Sequence, residues 1–367
     1  MRRIVPFRSV LIFGGAGFIG SNWVQHFLTH TDANVHVFDN LSRAGVSHNL
    51  AALQRLAGVS NRLKVTIGDV RDAELVQRAV HSASEIYHFA AQVAVTTSVA
   101  DPRTDFEVNV GGTLNILEAA RKTGRRPFLL FTSTNKVYGH LDLSTASTRL
   151  RHVVTKSDCV RETQPLDFYS PYGCSKGAAD QYVHDYARIF GIPTVVFRMS
   201  CIAGPGQFGN EDQGWVAHFL YSALQDKRIS IYGDGRQVRD VLCIEDLMRA
   251  FEGVRAHSDT TAGQVYNLGG GLDNAISLLE LIEEIQQLTG KKLRYRLQSA
   301  RPGDQPVYVT DFSKLKTDIG WQPEINVHAT LEKIYGWRLR NEELFSSKPM
   351  PTRLPALSLH HVPEVAS

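Results

Sequence analysis

The chain has 367 residues, with 40 basic and 37 acidic side chains, and 43% of its residues are hydrophobic. This composition is typical of a folded globular protein that is long enough for two domains, or for one large domain with an attached lobe. The charge balance, without a long basic run, excludes nucleic acid and anionic membranes as expected partners. No apolar run reaches the roughly 18 residues that a membrane span needs.

The four cysteines are scattered along the chain and form neither a CxxC pair nor a cluster with histidine. This spacing predicts no metal site and no disulfide framework. Reduced cysteines are typical of the cytoplasm, which is the location that we expect.

Six short runs rich in β-branched and aromatic residues occur in the first two hundred residues, separated by segments with helical periodicity. This alternation predicts an α/β protein of the Rossmann type, with a doubly wound parallel sheet. The strands are continuously apolar, so we expect helices on both faces of the sheet. The predicted strands are SVLIFGG (9–15), NVHVFD (34–39), LKVTIGD (63–69), EIYHFAA (85–91), PFLLFTS (127–133) and PTVVFRM (193–199).

The pattern loosens after about residue 200, which predicts a smaller substrate-binding lobe. We assign residues 1–199 to the Rossmann domain, with 236–268 returning to it, and residues 200–235 and 269–345 to the lobe. The last 22 residues, 346–367, contain four of the fourteen prolines and are predicted to be a disordered tail.

A glycine-rich turn follows the first predicted strand. In FGGAGFIGSN, the glycines Gly14, Gly17 and Gly20 stand three residues apart, at the point where a helix is expected to begin. Glycine allows a tight turn and lets backbone N–H groups approach a pyrophosphate at the positive end of a helix. The turn therefore predicts a dinucleotide-binding site.

Acidic residues end the next two predicted strands and indicate which dinucleotide binds. Asp39 lies nineteen residues beyond Gly20, where a carboxylate can bind the adenosine ribose hydroxyls of NAD. Arg43 could instead hold the 2′-phosphate of NADP, although Asp39 favours NAD. Asp69 ends the third strand at the level of the adenine, and it could alternatively cap the following helix.

A hydroxyl-rich strand end is followed by a tyrosine–lysine pair. Thr134 lies in FTSTNKVYG, and Tyr172 and Lys176 lie four residues apart in SPYGCSK. Residues at this spacing share one helix face. A neighbouring ammonium favours the phenolate, so we expect Lys176 to lower the pKa of Tyr172 and make it a base for an alcohol, with Thr134 bonding the same oxygen.

These segments together resemble the extended short-chain dehydrogenase/reductases that act on nucleotide sugars. The similar segments cover roughly residues 8–340 and include GGAGFIGSN, GDVRD, YHFAAQVAV, NVGGTLNILEAAR, TSTNKVYG and SPYGCSKGAADQY. The resemblance implies that Thr134, Tyr172 and Lys176 are catalytic. The NAD contacts that it implies are Gly14, Gly17, Phe18, Ile19, Asp39, Asn40, Ser42, Arg43, Asp69, Val70, Ala90, Ala91, Gln92, Asn109, Thr132, Tyr172, Lys176 and Met199.

The reaction type depends on the two residues after Thr134. Dehydratases of this family carry an Asp–Glu pair there to move protons, whereas this chain has Asn135 and Lys136. An amide cannot act as the acid, and an ammonium is a poor replacement for the carboxylate base. We therefore expect an epimerase that oxidises a sugar carbon to a ketone and then returns the hydride to the opposite face.

Several segments, including AAQVAVTTSV, GQF, DQGWV and the insertion at 140–169, resemble the CDP-sugar 2-epimerases of the family. The resemblance places Gln213 and Trp215 near the sugar or the nucleotide. Arg239 and Arg301 would clamp the diphosphate, a role that suits paired guanidinium groups. Met199 and Cys201 stand where histidine and serine are expected, which leaves the hexose and the nucleotide open.

Three alternatives stay open at this point. A UDP-hexose 4-epimerase would use the same three catalytic residues, and an oxidoreductase would release reduced cofactor. A non-catalytic NAD-binding relative would be expected to have lost the tyrosine or the lysine. The resemblance also implies a homodimer or homotetramer built on the helices at 106–122 and 174–190, where Ala178, Ala179 and Tyr182 offer small or flat surfaces.

Overall fold

The computed structural model of the protein describes residues 8–141, 146–301 and 304–345. The predicted tail at 346–367 lies outside the described residues. The strands are β1 (Ser9–Phe13), β2 (Asn34–Asp39), β3 (Leu63–Ile67), β4 (Glu85–His88), β5 (Phe128–Thr134), β6 (Thr194–Met199), β7 (Cys201–Ala203), β8 (Ile229–Tyr232), β9 (Val238–Cys243), β10 (Gln264–Leu268), β11 (Ala275–Ser277), β12 (Tyr295–Gln298) and β13 (Val307–Tyr308).

Helices alternate with the strands of the first two hundred residues and predominate afterwards. A π-helical turn, Glu107–Gly111, joins two of them. The α-helices are α1 (Phe18–His30), α2 (Val46–Ala57), α3 (Ala73–Val80), α4 (Val95–Ala100), α5 (Pro102–Phe106), α6 (Gly112–Lys122), α7 (Ser170–Phe190), α8 (Trp215–Leu224), α9 (Ile244–Ala256), α10 (Ser258–Thr261), α11 (Leu278–Thr289), α12 (Ser313–Ile319) and α13 (Val327–Arg340).

Seven parallel strands form the main sheet in the order β10-β6-β5-β4-β1-β2-β3. All six strands predicted from the sequence belong to it, and β2 has the predicted bounds. The predicted Rossmann-type fold is therefore confirmed. The order reverses between β1 and β4, and in such sheets ligands bind beyond the carboxyl ends of the strands at this switch point.

Both faces of the sheet are covered, as the continuous hydrophobicity of the strands predicts. Ile12 and Val37 point into one buried cluster, which contains the side chain of Trp23 from α1. Leu11 and Phe38, one residue away along the same strands, point into a second cluster with α3 and α6. Side chains alternate between the faces of a strand, so each strand contributes to both layers.

The segments predicted to form the smaller lobe contribute to two smaller sheets and to a separate buried cluster. Strand β9 pairs with β7, β11 and β13, and β8 pairs with β12. Helices α8, α11 and α13 pack together around Phe219, Leu281 and Leu331. Of the segment predicted to return to the Rossmann domain, 236–268, strand β10 joins the main sheet, while β9 belongs to the sheet of the lobe. No helix in the described part of the chain has the length and apolarity needed to cross a membrane.

A charged cluster lies at the amino end of β4. Glu85 accepts hydrogen bonds from the guanidinium groups of Arg8 and Arg255, the latter at 3.0 Å. The hydroxyl of Tyr87, which is fully buried, donates to the same carboxylate at 2.9 Å. Since Arg255 belongs to α9, this cluster ties that helix to the sheet at the end opposite the switch-point cleft.

A buried ion pair joins α7 to β6. The Nε and Nη2 atoms of Arg198 each lie 2.9 Å from an oxygen of Asp180, and neither side chain is more than 6% exposed. The Nη1 atom of Arg198 also donates to the hydroxyl of Tyr138 at 3.1 Å, and that hydroxyl donates to Asn267. The ion pair therefore holds the helix that carries the tyrosine–lysine pair against the sheet.

Replacing Asp180 with asparagine is expected to destabilise the protein by about 3–5 kcal/mol, because it leaves the buried guanidinium of Arg198 without a counter-charge. The matched control is Asp185→Asn on the same helix, whose pair with Arg188 is exposed and is expected to contribute less than about 1 kcal/mol. Urea denaturation of both variants measures the difference, and equal effects would contradict the prediction.

Candidate functional site

The glycine-rich turn packs closely against its surroundings. Gly14 has a φ of +73°, and a Cβ atom there would lie 2.7 Å from the backbone nitrogen of Ala90. A Cβ atom on Gly20 would lie 2.1 Å from the carbonyl oxygen of Gly14. Helix α1 begins after Gly17 without a side-chain cap, so the first N–H groups of the helix, at Phe18 and Ile19, are available to an anion. This turn fits the pyrophosphate of a dinucleotide.

Asp39 fixes the turn against β2. One carboxylate oxygen accepts a hydrogen bond from the backbone N–H of Ala16 at 3.0 Å, and the other accepts from that of Leu41 at 2.9 Å. Burial raises the pKa of Asp39, and these backbone bonds act in the opposite direction. The carboxylate thus orders the loop itself, and the predicted contact with a ribose would use its remaining lone pairs.

The predicted adenine end of the site is a polar cluster on the next two strand ends. Asn40 donates to Asp69 at 3.2 Å and accepts from the backbone N–H of Ser42 at 3.1 Å. Arg71 donates to both oxygens of Asp69 and holds its pKa at about 2. Val70 is buried beside these groups. Asp69 therefore stays ionised at neutral pH and does not cap α3, which Asp72 caps instead.

A buried amide network lies beyond β4, after Ala90 and Ala91. The backbone N–H of Gln92 donates to the side chain of Asn109 at 2.9 Å, and the amide of Asn109 donates back to the carbonyl oxygen of Gln92 at 3.0 Å. The amide of Asn109 also lies 2.9 Å from the hydroxyl of Ser175 on α7. This network joins two predicted cofactor contacts to the helix that carries Tyr172 and Lys176.

The three predicted catalytic residues meet at the carboxyl end of β5. Tyr172 and Lys176 lie one turn apart on α7, and both are buried. The Nζ atom of Lys176 donates to the carbonyl oxygen of Thr132 at 2.7 Å and lies 4.1 Å from the ring centre of Phe131. Thr134 ends β5, its hydroxyl donates to the side chain of Asn135 at 3.3 Å, and its proximity to Tyr172 lowers the pKa of the phenol.

The prediction that Lys176 lowers the pKa of Tyr172 is wrong for this structure. Burial, and to a smaller extent the carboxylate of Asp105, raises the pKa of Tyr172 to about 12 against the opposing effects of Thr134 and Arg43. Burial also lowers the pKa of Lys176 to about 7. The ammonium is directed at a strand carbonyl and is only partly charged near neutral pH, so it does little for the phenolate.

Arg43 and Met199 border the same cleft from opposite sides. Arg43 is solvent-accessible, yet the surrounding protein lowers its pKa and the phenol of Tyr172 is close enough to raise it. Met199 ends β6 and is the register partner of Thr134 on β5. Both predicted cofactor contacts therefore lie within the cleft near the catalytic hydroxyls.

The residues predicted to bind the substrate differ in their exposure and in their contacts. Gln213 is exposed, and its backbone is held by Asn210. Trp215 is half-buried, and its indole donates to the sulfur of Cys201 at 3.3 Å. Arg301 lies 3.7 Å above the ring centre of Tyr232 and loosely faces two carboxylates, at 3.7 and 3.9 Å.

Arg239 is buried and already bound within the chain. Its guanidinium donates to Asp304 at 2.8 Å and to the carbonyl oxygen of Val238 at the same distance. The ammonium of Lys136 lies 3.6 Å from the same oxygen of Asp304. Burial, and then the charge of Arg239, lowers the pKa of Lys136. Two cations thus share one carboxylate, an arrangement that suits an anionic ligand.

Lys136 and Asp304 were not predicted as binding residues. The position of Lys136, two residues after Thr134, is the sequence signal that could have indicated a binding role. The sequence around Asp304 does not indicate a binding role, because this role depends on its contact with Lys136, which lies 168 residues earlier in the chain. Within the described ranges, no group of three or more histidine, cysteine or acidic residues is placed to hold a metal ion.

Comparison with known proteins identifies the family. Residues 11–334 match the sequence model of the GDP-mannose 4,6 dehydratase family, and the chain belongs to this family of nucleotide-sugar epimerases and dehydratases. The resemblance to the nucleotide-sugar dehydrogenase/reductases predicted from the motifs is thereby confirmed.

The proteins that this chain resembles include both epimerases and dehydratases. CDP-paratose 2-epimerase of Salmonella typhi is 41% identical over 337 residues, which cover 89% of this chain and 98% of that protein. The structure of dTDP-glucose 4,6-dehydratase from Streptomyces venezuelae with NAD bound has a TM-score of 0.78 at 29% identity, covering 91% of this chain and 98% of that one. UDP-glucuronic acid 4-epimerase from Bacillus cereus, solved with UDP-glucuronic acid and NAD, has a TM-score of 0.77 at 25% identity, with coverage of 90% and 99%.

Replacing Gly20 with alanine is expected to weaken NAD binding at least tenfold and to lower stability by about 1–3 kcal/mol, because the new methyl group would displace the backbone of Gly14. The control is Gly336→Ala in α13, where only the flexible end of Arg340 is near and alanine favours the helix. Calorimetric titration with NAD and thermal denaturation measure both effects. Unchanged NAD affinity in the Gly20 variant would contradict the predicted cradle.

Proposed function

We propose that the protein is an NAD-dependent CDP-sugar 2-epimerase that interconverts CDP-paratose and CDP-tyvelose. The observation that carries this proposal is the meeting of Thr134, Tyr172 and Lys176 beside a dinucleotide cradle, with Asn135 and Lys136 in place of a carboxylate pair. The 41% identity to CDP-paratose 2-epimerase, over nearly the full length of both chains, supports the choice of sugar and nucleotide.

The cradle would hold NAD through the residues around it. The start of α1 would bind the pyrophosphate, and Asp39 and Asp69 would face the adenosine. Gln92, Asn109 and Lys176 lie at the opposite end of the site, beside the catalytic hydroxyls. The chemistry that NAD supplies when bound is that of a hydride acceptor and donor.

Tyr172 would carry the proton. Tyr172 would act as the phenolate, which is the minor form at neutral pH because burial raises its pKa to about 12. In the first half of the reaction, the hydroxyl proton of the sugar would pass to the phenolate oxygen while a hydride leaves the carbon that bears this hydroxyl for the bound dinucleotide, and a ketone forms. After the sugar turns, the tyrosine returns the proton and the hydride enters from the other face, so the overall reaction is redox-neutral. Thr134 would hold the sugar oxygen in both halves, and the charge of Arg43 favours the phenolate.

Lys136 argues against elimination of water. A dehydratase of this family needs a carboxylate base at this position, whereas this chain has a half-buried cation next to Arg239. Lys136 and Arg239 would instead contact the diphosphate, with Arg301 at the rim and Trp215 and Gln213 near the sugar or base. At least one of the contacts of Asp304 with these cations would have to break when the substrate binds.

The function is tested by following CDP-paratose with the purified protein by NMR. We expect inversion at C2 without any lasting rise in the absorbance of reduced nicotinamide, even with added NAD. The Tyr172→Phe variant should react at least about a hundredfold more slowly, because the proton carrier is lost. Conversion of UDP-glucose alone, with change at C4, would overturn the choice of substrate, and accumulating reduced nicotinamide would indicate a net oxidoreductase.

We further propose that two copies of the chain pair through α7 and the helices before it. Tyr182 and Ile189 lie seven residues apart on one face of α7 and are 46% and 66% exposed, and Phe106 on α5 is 57% exposed. Ala178 is half-buried on the same face. Ala179 was predicted for this surface, but it is fully buried in the core and cannot contribute.

Sedimentation velocity tests the pairing. Changing both Tyr182 and Ile189 to glutamate is expected to give a monomer, since two charges would have to be buried in the interface. The control is Leu339→Glu on α13, where a leucine is similarly exposed, at 53%, on a different surface. A wild-type protein that sediments as a monomer at micromolar concentration would contradict the proposal, and a tetramer would add a second interface to it.

A further inference from the structure

A short segment, residues 205–208, joins the cofactor cradle to the smaller lobe; we call it the bridging segment. Three of its consecutive carbonyl oxygens accept hydrogen bonds from side chains of three different helices, α1, α2 and α8. The donor and acceptor pairs are Asn22 to Pro205 at 3.1 Å, Asn49 to Gly206 at 3.3 Å and Tyr221 to Gln207 at 3.0 Å. Because α1 begins at the glycine-rich turn and α8 packs in the buried cluster of the lobe, the bridging segment connects the two.

The bridging segment is also linked to the glycine-rich turn itself. The side-chain amide of Asn49 donates both to the carbonyl oxygen of Gly206 and to that of Ala16, each at 3.3 Å. The backbone N–H of Ala16 is the group that Asp39 binds at 3.0 Å. One chain of hydrogen bonds therefore runs from the bridging segment through the turn to the carboxylate that is predicted to face the ribose.

Phe208 ends the bridging segment and covers the loop between β2 and α2. This loop contains Asn40, Ser42 and Arg43, which are three of the predicted NAD contacts. Its last residue, Gly45, has a φ of +82°, and a Cβ atom there would lie 2.2 Å from the ring of Phe208. A left-handed backbone and a ring at this distance both require glycine. The ring of Phe208 thus lies directly against the backbone of the predicted cofactor loop.

Other aromatic rings hold Phe208 against this loop. Its ring centre lies 5.4 Å from that of Phe345 in a stacked arrangement, and 5.6 Å from that of Trp337, on α13, edge-on. The guanidinium of Arg338 lies 4.2 Å from the ring centre of Phe345 on the same helix's side of the cluster. Ring pairs at these distances and angles are favourable. Phe208 is therefore supported by the C-terminal helix while it contacts the loop.

The hydrogen bonds within the loop are local, so they do not fasten it to the lobe. The backbone N–H of Leu41 donates to Asp39, and that of Ser42 donates to Asn40. These bonds shape the loop but would move with it. The contact of Gly45 with Phe208, by contrast, joins the loop to residues that belong to another part of the molecule.

We propose that Phe208 is a positioning residue that holds the loop between β2 and α2 in place, so that NAD is retained between turnovers. This role rests on the function proposed above, because an epimerase that returns the hydride it has removed must keep the same dinucleotide through both halves of the reaction. An adenosine bound by this loop would be released only after Gly45 separates from the ring of Phe208. The residue acts on retention of the cofactor and does not contact the sugar.

The rate of NAD release tests this role directly. The purified full-length protein is loaded with radiolabelled NAD and then mixed with an excess of unlabelled NAD, in the absence of any sugar. Phe208→Ala is expected to release the label at least about tenfold faster than the wild type, because the loop loses the contact that holds it. A release rate equal to that of the wild type would overturn the proposal.

The matched control is a phenylalanine in similar surroundings at the other end of the main sheet. Phe312 is half-buried, like Phe208, and its ring centre lies 5.8 Å from that of Trp321, edge-on. It also covers a left-handed glycine, Gly271, where a Cβ atom would lie 2.4 Å from its ring. Gly271 follows β10, which four strands separate from β2. Phe312→Ala is expected to change NAD release by less than about twofold, since distant sites act independently. Equal acceleration in both variants would indicate general loosening and overturn the proposal.

Gly45→Ala approaches the same contact from the loop side, and it keeps the test available if Phe208→Ala does not fold. Its methyl group would push against Phe208, whereas Gly290→Ala introduces a methyl group at another left-handed glycine, φ +66°, with no atom within 4 Å. Only Gly45→Ala is expected to speed NAD release.

A double variant shows whether both substitutions act through one contact. Gly45→Ala and Phe208→Ala combined should speed NAD release by much less than the product of the two single effects, because each removes the same contact. Effects that multiply fully would overturn the proposal. Since no sugar is present in these measurements, they stand whether or not the protein converts CDP-paratose, and failure of the proposed function would be seen separately.

Discussion

The hydrogen bond from the ammonium of Lys176 to the carbonyl oxygen of Thr132 joins α7 to the carboxyl end of β5, and the geometry of the site depends on it. It fixes the helix turn that carries Tyr172 and so brings the phenol to the hydroxyl of Thr134. A charged group can be kept at such a depth only if the protein supplies partners for it. The strand carbonyl and the ring of Phe131 supply them.

Buried polar groups are fully paired in one part of the structure and only partly paired near the site. In the scaffold, Asp180 and Arg198 satisfy each other with two hydrogen bonds, which makes the helix position rigid. Near the site, by contrast, the Oδ2 atom of Asp105, the Nδ1 atom of His88 and the hydroxyl of Ser133 are buried without hydrogen-bond partners among the described residues. Incomplete satisfaction at a functional site is a common departure from the rule that buried polar groups are paired.

The fold and the gathering of the site could be predicted from the sequence, because they follow from local patterns. Strand periodicity placed all six predicted strands in the main sheet, and the glycine turn and the spacing of Tyr172 and Lys176 located the cleft. The pKa values and the ion-pair partners within the site could not be predicted in the same way. The pKa of Tyr172 depends on burial, and the partner of Arg239 is Asp304, which lies 65 residues away along the chain. Likewise, helical spacing alone could not show that Ala179 faces the core.

The cluster of Glu85, Arg8 and Arg255 fixes where the chain enters the main sheet, and this position bears on how the molecule could be attached to a support. It lies at the amino ends of the parallel strands, whereas the cleft lies at their carboxyl ends. The chain enters β1 directly after Arg8, so a tether or fusion partner introduced ahead of this point would join the molecule on the side away from the cleft. Immobilised enzyme linked in this way would keep the entrance for its nucleotide ligands directed toward the bulk solution.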